Sequence, residues 1–432
     1  VLRLPKYYIE TYGCALSEFD SAIMRSLLRD AGYEEVKSPA EADVVIVNTC
    51  SVRLDTEEKI VKRLVELSPL VEGKKLIVSG CLSKSRPSLV MRVAPTASML
   101  SPQNVTKVVD VLKADKQLYL LDGERDVSVL PTPPIRDGVA TIMISEGCLE
   151  NCSFCETKIA RRTLKSYSPR AIVDLVRELV KRGAREIRLT GQDAAAYGLD
   201  LPGRPRLPEL IGDILDRVPG DYRLRIGMMT PNQAMDLIDD LLEVYRDERV
   251  FKFFHIPVQS GDDRVLEIMN RRYTVSEFKE LHRKVKSRYP SSLFATDIIV
   301  GHPGEDEEAF MNSVALVNEL KFERVYLAQY SIRPRTASAS MPQIPEPVKK
   351  ERSLRIQEVI RSVGLEIYGK YVGGIYRGLL ASRSFRDGYY TVRLDNYFPV
   401  TVPATDARSF GDYVNVKVSE ATYFDLRGFI VS

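Results

Sequence analysis

Three cysteines stand at Cys148, Cys152 and Cys155 in the run Ser145-Glu146-Gly147-Cys148-Leu149-Glu150-Asn151-Cys152-Ser153-Phe154-Cys155, a C-x3-C-x2-C spacing directly after the strand-like Thr141 to Ser145. Three thiolates with no fourth ligand nearby is the informative feature. Structural zinc takes four protein ligands, and a ferredoxin cluster takes four cysteines. A 4Fe-4S cluster held by three keeps one iron open, and an open iron can chelate the amino and carboxylate groups of S-adenosylmethionine and pass it an electron. Phe154, just before the last cysteine, is an aromatic placed to pack beside the adenine. The alternatives are a zinc site that borrows a distant ligand and an unrelated cysteine-rich loop. Against both, the nearest histidine is about a hundred residues away, whereas metal motifs cluster in sequence.

The other three cysteines recur in one small design. Tyr7 to Tyr12 reads as a strand, ends at Gly13-Cys14 and opens a helix from Ser17 through Ala31, with Ile23, Leu27 and Leu28 at helical spacing. Val44 to Asn48 is an apolar buried-strand run that ends at Thr49-Cys50 and precedes the helix-like Thr56 to Leu67; Leu76 to Ser79 ends at Gly80-Cys81. Strands alternating with helices imply a doubly wound parallel α/β domain, with all three strand carboxyl ends on one edge, where such folds bind ligands. A single free cysteine is more often a core residue. Three at the same topological position converge by geometry, and again they number three.

After Asp122 the pattern lapses through Pro131-Thr132-Pro133-Pro134, a linker by composition. The expected layout is an N-terminal domain over 1–125, a linker over 126–136, a second domain over 137–366 and a third over 367–432. In the second domain six strand-like runs alternate with helices: Thr141 to Ser145, Glu186 to Thr190, Tyr222 to Ile226, Val250 to His255, Leu293 to Val300 and Arg324 to Tyr330. Helix starts are well marked, by Ser168-Pro169 and by a Thr274 to Glu277 capping box. Six such units suit a partial (βα)6 TIM-like barrel, whose chemistry belongs at the strand carboxyl ends. There stand Gly191-Gln192-Asp193, Arg225 with Gly227-Met228-Met229-Thr230-Pro231, His255-Ile256-Pro257-Val258-Gln259-Ser260-Gly261, and Gly301-His302-Pro303-Gly304-Glu305. Gly and Pro also simply end strands. Four such loops over one cysteine loop favour a cofactor pocket, with Gln192, Arg225 and Gln259 as candidates for ribose hydroxyls and a carboxylate, and His255 as a structural histidine.

With 62 Lys and Arg against 59 Asp and Glu, a nucleic-acid partner must be met by a local patch, not by net charge. No apolar run approaches the roughly 18 residues of a membrane span, and Val1 to Glu10 lacks a signal-peptide core, so a cytoplasmic protein without a membrane partner is expected. In a reducing compartment six cysteines point to metal ligation rather than disulfides. Lys158, Arg161, Arg162 and Lys165 follow the cysteine loop with no acid among them, as a phosphate-steering rim would. From Gly369 to Ser432, short aromatic and β-branched runs such as Gly388 to Leu394 and Asp412 to Val418 read as a small β-barrel.

Together, Cys14, Cys50 and Cys81, then Cys148, Cys152 and Cys155, Gly191-Gln192-Asp193, His255 through Asp262, Met269-Asn270-Arg271-Arg272-Tyr273 and Pro303-Gly304-Glu305 resemble the methylthiotransferase family of radical-SAM proteins, almost end to end. That resemblance implies a second 4Fe-4S cluster on Cys14, Cys50 and Cys81 that delivers sulfur. It also implies a cluster that binds S-adenosylmethionine on the central triplet and an RNA-binding TRAM domain at the C-terminus. One S-adenosylmethionine would supply methyl and another a 5'-deoxyadenosyl radical, suited to an aryl C-H bond that no side chain can deprotonate. Glu156 to Arg161 and Gly227-Met228-Met229 are similar to the branch that methylthiolates N6-threonylcarbamoyladenosine in tRNA, with a cellular reductant and sulfur donor as further partners and a monomer as the expected state. The neighbouring branches act on isopentenyladenosine tRNA or a ribosomal-protein aspartate. From another class, a non-catalytic iron-sulfur or zinc RNA-binding protein would need four ligands per metal. Arg162, Arg335 and His302 depart from the family pattern and put the local loop conformations at those points in question.

Overall fold

The computed structural model describes residues 4–52, 54–404 and 409–431. Six parallel strands open the chain: β1 (Lys6–Thr11), β2 (Glu34–Glu35), β3 (Val44–Thr49), β4 (Lys75–Gly80), β5 (Ser98–Leu100) and β6 (Tyr119–Leu120), in the order β2-β1-β3-β4-β5-β6. The continuous apolar run of β3 explains the layering. Val44 and Ile46 join the core on one face, Val45 and Val47 the core on the other, so helices cover both sides. Each such fully buried side chain contributes roughly 1.5–3 kcal/mol. β2, β5 and β6 are two or three residues long, too short to leave a period in the sequence. Cys14 and Cys50 follow β1 and β3, and Cys81 opens the helix Cys81–Ser85 after β4, so the triplet lies on three adjacent strands. At the junction, Gly13 has φ +116°, and a Cβ there would fall 2.7 Å from Cys50 Cβ. Only glycine lets the first and second cysteine loops approach in this way.

The central domain is an open half-barrel. β7 (Val139–Met143) leads to a hairpin of β8 (Ser145–Glu146) and β9 (Lys165–Ser166), which pinches the base of the cysteine loop. Then follow β10 (Glu186–Thr190), β11 (Arg223–Ile226), β12 (Phe253–His255), β13 (Leu293–Val300) and β14 (Arg324–Gln329). Sheets β11-β10-β7 and β12-β13-β14 meet at a bridge between Leu224 and Val250, leaving β7 and β14 as the two lips of a lateral mouth. The expected caps are present: Ser168 accepts from Ala171 N, and Thr274 with Glu277 forms a capping box.

A long helix, Glu346–Gly369, carries the chain to a closed barrel of β15 (Ile375–Arg383), β16 (Tyr389–Leu394), β17 (Pro399–Pro403), β18 (Tyr413–Ala421) and β19 (Leu426–Val431). This barrel seals the amino-terminal end of the half-barrel. Tyr397 Oη donates to Glu186 at 2.9 Å, and Arg223 donates to Asp395 and to Tyr413 Oη, each at 2.8 Å. Among the described residues no helix is long and apolar enough to cross a membrane.

A buried charge network ties the first domain to the second. Arg125 and Arg161 each bridge Asp20, on the helix Ala15–Asp30, and Glu146, the last residue of β8 before the cysteine loop. All four side chains are at most 1% exposed. Gln103 Nε2 adds a donor to Glu146 at 2.8 Å. Burial opposes ionisation of Glu146, and the guanidinium groups of Arg125 and Arg161 overcome it, holding the carboxyl below its ordinary value. A depressed carboxyl stabilises the fold above the unfolded value, here 4.5, and loses that contribution as pH falls through the lower folded value. Glu146→Gln is therefore expected to cost about 3–5 kcal/mol at pH 7, because two guanidiniums are left to share Asp20. Urea midpoints measured from pH 7 down to pH 3 check this. The gap between wild type and variant should be constant above pH 4.5 and close below it, and a pH-independent gap would show that packing rather than charge is responsible.

Candidate active site

The fold brings each cysteine triplet together. Cys152 and Cys155 both push the Cys148 thiol up, after burial and together with Asp193, to about 12. Cys81 is likewise pushed up to about 12, first by burial and then by Cys50 and Cys14, against the pull of Arg161. A thiol pushed up by its neighbours in this way lies close to them, which places each set of three cysteines together. Among the described residues no three Cys, His, Asp or Glu side chains converge on a single metal ion, as one zinc would require. Thiolates on separate corners of an iron-sulfur core have no such requirement, so the donor set fits a 4Fe-4S cluster. Helix Cys81–Ser85 packs against helix Thr157–Ala160, which starts two residues after Cys155, so the two triplets face each other across the domain junction.

The cysteine loop is fixed by its neighbours. Gly147 has φ +87°, and any Cβ there would lie 2.0 Å from Thr163 O. Gly147 N donates to Gln192 Oε1 at 2.8 Å, Asn232 Nδ2 to Glu150 at 2.8 Å, Asn270 Nδ2 to Asn151 O at 2.8 Å, and Ser153 N to Met269 O at 3.0 Å. Asp193, close enough to Cys148 to act on its thiol, accepts from Thr230 Oγ1, Thr230 N and Ala195 N and so locks two barrel loops together, while burial pushes its carboxyl up to about 6. Gln192 Nε2 and Gln259 Oε1 are buried without a hydrogen-bond partner among the described residues. A donor and an acceptor left open after the second and fourth strands of the half-barrel have the chemistry to take a nucleoside such as that of S-adenosylmethionine. Gln259 is held there at φ +71° by backbone bonds to Asp297 and Ile299.

Two residues of the site carry roles that the sequence reading did not assign. Arg271 Nη1 donates to Cys152 Sγ at 2.9 Å, and its ring neighbour Tyr273 holds it at 3.0 Å. The segment Met269 to Tyr273 was visible as a motif, but its guanidinium reaches a cysteine more than a hundred residues away only through the fold. His302, one of the departures from the family pattern, packs edge-on against Phe154 with ring centroids 6.0 Å apart and against Tyr330 at 5.2 Å. Its Nδ1 donates to Pro303 O, and its Nε2 lies 2.8 Å from Ser338 Oγ; burial pushes it down to about 4, so it is neutral. The imidazole thus keeps the aromatic packing and adds a hydrogen bond. His255 pairs with Asp297 at 2.9 Å as a structural residue. Arg335 adopts φ +71° and donates to Ser85 O at 3.1 Å, using the departure to reach the first domain.

The basic rim is corrected. Arg161 is buried in the interdomain network and has no face to offer a phosphate, because two desolvated carboxylates claim it. Lys158 donates to Cys148 O, and Lys165 pairs with Glu124 at 2.7 Å. Arg162 alone of the four is exposed. A run that looks uniformly basic in sequence is thus split by the turn of the chain. Arg225 lies near the end of β11, in register with Arg188, and Arg188 with Thr141; its guanidinium sits over Phe253 at 4.6 Å on the wall of the half-barrel.

An open half-barrel with three cysteines on the loop after its first strand, joined to a second cysteine triplet and to a closed five-stranded barrel, defines a radical-SAM protein. The chain matches the Radical SAM superfamily over residues 142–317, the TRAM domain over 369–431 and the Uncharacterized protein family UPF0004 over 6–101. A probable threonylcarbamoyladenosine tRNA methylthiotransferase of Archaeoglobus fulgidus is 39% identical, covering 97% of each chain. The human threonylcarbamoyladenosine tRNA methylthiotransferase is 31% identical, covering 99% of this chain and 74% of its own. The chain belongs to the threonylcarbamoyladenosine tRNA methylthiotransferase family. In fold alone it is similar to the radical S-adenosylmethionine methyltransferase TsrM from Kitasatospora setae, with a TM-score of 0.58 at 14% identity over 78% of this chain and 74% of that one.

Anaerobic reconstitution should load about eight irons per chain if each triplet holds a cluster, and replacing Cys148, Cys152 and Cys155 with Ala should leave about four. Zinc in place of iron, or loss of all iron from that variant, would contradict two independent clusters.

Proposed function

We propose that this protein inserts a methylthio group at C2 of N6-threonylcarbamoyladenosine beside the anticodon of tRNA, using two 4Fe-4S clusters and S-adenosylmethionine. The observation that carries the reading is the pair of incomplete cysteine triplets facing each other on a chain that matches members of this family over nearly all of its residues. When bound, the two clusters and S-adenosylmethionine supply one-electron reductive cleavage, a methyl group and a sulfur source.

The chain's own residues do the positioning. Cys148, Cys152 and Cys155 would hold the first cluster, and Arg271, which donates to the Cys152 sulfur, would offset thiolate charge there. Cys14, Cys50 and Cys81 hold the second, with Arg161 placed to offset its charge in the same way. Gln192 Nε2 and Gln259 Oε1 take the nucleoside of S-adenosylmethionine, and Phe154, braced by His302, packs beside its adenine. Arg162 and the C-terminal barrel contact tRNA phosphates; the enzyme works as a monomer in the cytoplasm.

The division of labour is testable. A Cys14, Cys50 and Cys81 triple Ala variant, given dithionite, should still cleave S-adenosylmethionine to 5'-deoxyadenosine yet form no methylthio nucleoside by mass spectrometry. Loss of cleavage in a variant that remains folded would overturn the separation. Offered tRNA with threonylcarbamoyladenosine, with isopentenyladenosine, or with bare adenosine, the wild type should modify only the first, and product on the isopentenyl substrate alone would sink the substrate assignment.

A further inference from the structure

The half-barrel holds a cavity of about 240 Å³ below the cofactor loops, and the charged side chains that line it are all arginines. Arg188 comes from β10, Arg225 from β11, Arg324 from β14 and Arg393 from β16 of the C-terminal barrel. The charge is not balanced locally. Glu186 binds Arg188 at 2.6 Å and accepts from Tyr397, and Asp297 is occupied by His255. Arg324 spends Nη2 on Tyr368 Oη and Phe424 O. That leaves Nε of Arg225, Arg324 and Arg393 buried with no acceptor among the described residues. With Nε shut away, these side chains gather positive charge around one cavity through the rest of their guanidiniums, a charge that an anion entering the cavity would offset. The cavity lies at the lateral mouth, with Thr141 on one lip and Tyr326 on the other. It shares Ala15, Thr141, Arg188 and Arg393 with a second cavity of about 400 Å³ that runs out beneath Pro133 and Pro134. All three domains therefore wall a path from the surface to the lumen.

Resting on the substrate reading above, we infer that these arginines bind the free carboxylate of the threonylcarbamoyl group and make the enzyme require it. Threonylcarbamoyladenosine carries an amino-acid carboxylate on its N6 arm, and isopentenyladenosine carries only hydrocarbon there. A guanidinium recognises a carboxylate through paired charge-assisted hydrogen bonds, and a site built for that anion rejects a neutral arm that leaves its donors buried and unpaired. Arg225 lies over Phe253 and Arg393 over Tyr397, at 4.6 and 4.7 Å from the ring centroids, contacts that hold both guanidiniums at the cavity wall. Arg393 belongs to the C-terminal barrel, so that barrel supplies part of the base-recognition site in addition to contacting RNA.

The test uses reconstituted full-length enzyme and anticodon stem-loops bearing either threonylcarbamoyladenosine or its carboxylate methyl ester. Wild type should prefer the acid by roughly 100-fold in kcat/KM, the scale on which truncating a buried charge pair acts. In Arg225→Gln and in Arg393→Gln the acid should fall to within about threefold of the ester, with Arg225→Lys recovering part of the preference. Retained preference in both Gln variants, or a wild type indifferent to esterification, overturns the inference. A higher KM for S-adenosylmethionine with the acid preference intact assigns the arginines to that cofactor's carboxylate instead. Equal weakening of the acid, the ester and an unmodified stem-loop assigns them to a backbone phosphate; either result overturns the proposal. Wild-type product on an isopentenyl stem-loop and none on the threonylcarbamoyl one removes the substrate reading itself, and with it this inference, a failure seen before any variant is made.

Discussion

Two buried carboxylates and two buried guanidiniums decide how the parts of this protein meet. Asp20 belongs to the first domain, Arg125 to the stretch leading out of it, and Glu146 and Arg161 flank the central cysteine loop on either side. Each charge is desolvated, so none can be left alone without a large cost, and the network is satisfied only when both domains are docked in one orientation. A hydrophobic interface tolerates sliding; four complementary charges with fixed hydrogen-bond directions do not. The continuous apolar core from helix Ala15–Asp30 into the half-barrel, including the edge-on contact of Phe19 with Tyr167 at 6.1 Å, then fills the space around that fixed frame.

The docking has a chemical consequence. Arg161 faces Asp20 and Glu146 and also acts on Cys81 and Cys50, so the same guanidinium that joins the domains lies beside the first cysteine triplet. The chain thereby couples the position of one triplet to the base of the loop that bears the other. For chemistry that passes a reactive group from one centre to a substrate poised over another, separation and orientation matter more than any single acid or base. A linker alone could not hold two centres in register. On the opposite end of the half-barrel, Tyr397, Arg393 and Asp395 close the lumen from the C-terminal barrel, so the third domain also shapes the cavity beneath the cofactor loops.

Much of this was legible in the chain. Residues that must do chemistry by type, the six cysteines and the glutamines after strand ends, announce themselves because few side chains can substitute for a thiolate or for an open amide. Strands buried on both faces, such as β3, leave an unbroken apolar run, and caps such as Ser168 and Thr274 use local hydrogen bonds that sequence spacing fixes. Cysteines placed after consecutive parallel strands reach one sheet edge by topology, so their convergence followed from the alternation of elements before any coordinate did. These features depend on neighbours within a few residues, or on a rule of chain handedness.

What the sequence could not determine is which partner each long charged side chain takes. Lys158, Arg161, Arg162 and Lys165 read as one basic strip, yet the chain turns between them and sends Arg161 inward to carboxylates 141 and 15 positions away, Lys165 to Glu124 and only Arg162 to the surface. Arg271 finds Cys152 across 119 positions, and Arg225, Arg324 and Arg393 meet in one lumen from three strands in two domains. Arginine and lysine side chains are long, have many rotamers and satisfy any acceptor within reach, so their roles are set by what tertiary packing leaves nearby and desolvated. The sequence by itself determined where the six cysteines stand and the layered elements that carry them, because local pattern and topology suffice for both. The tertiary structure alone decided the buried charge network and the arginine-lined cavity, because the energy of a charge depends on its surroundings and not on its place in the chain.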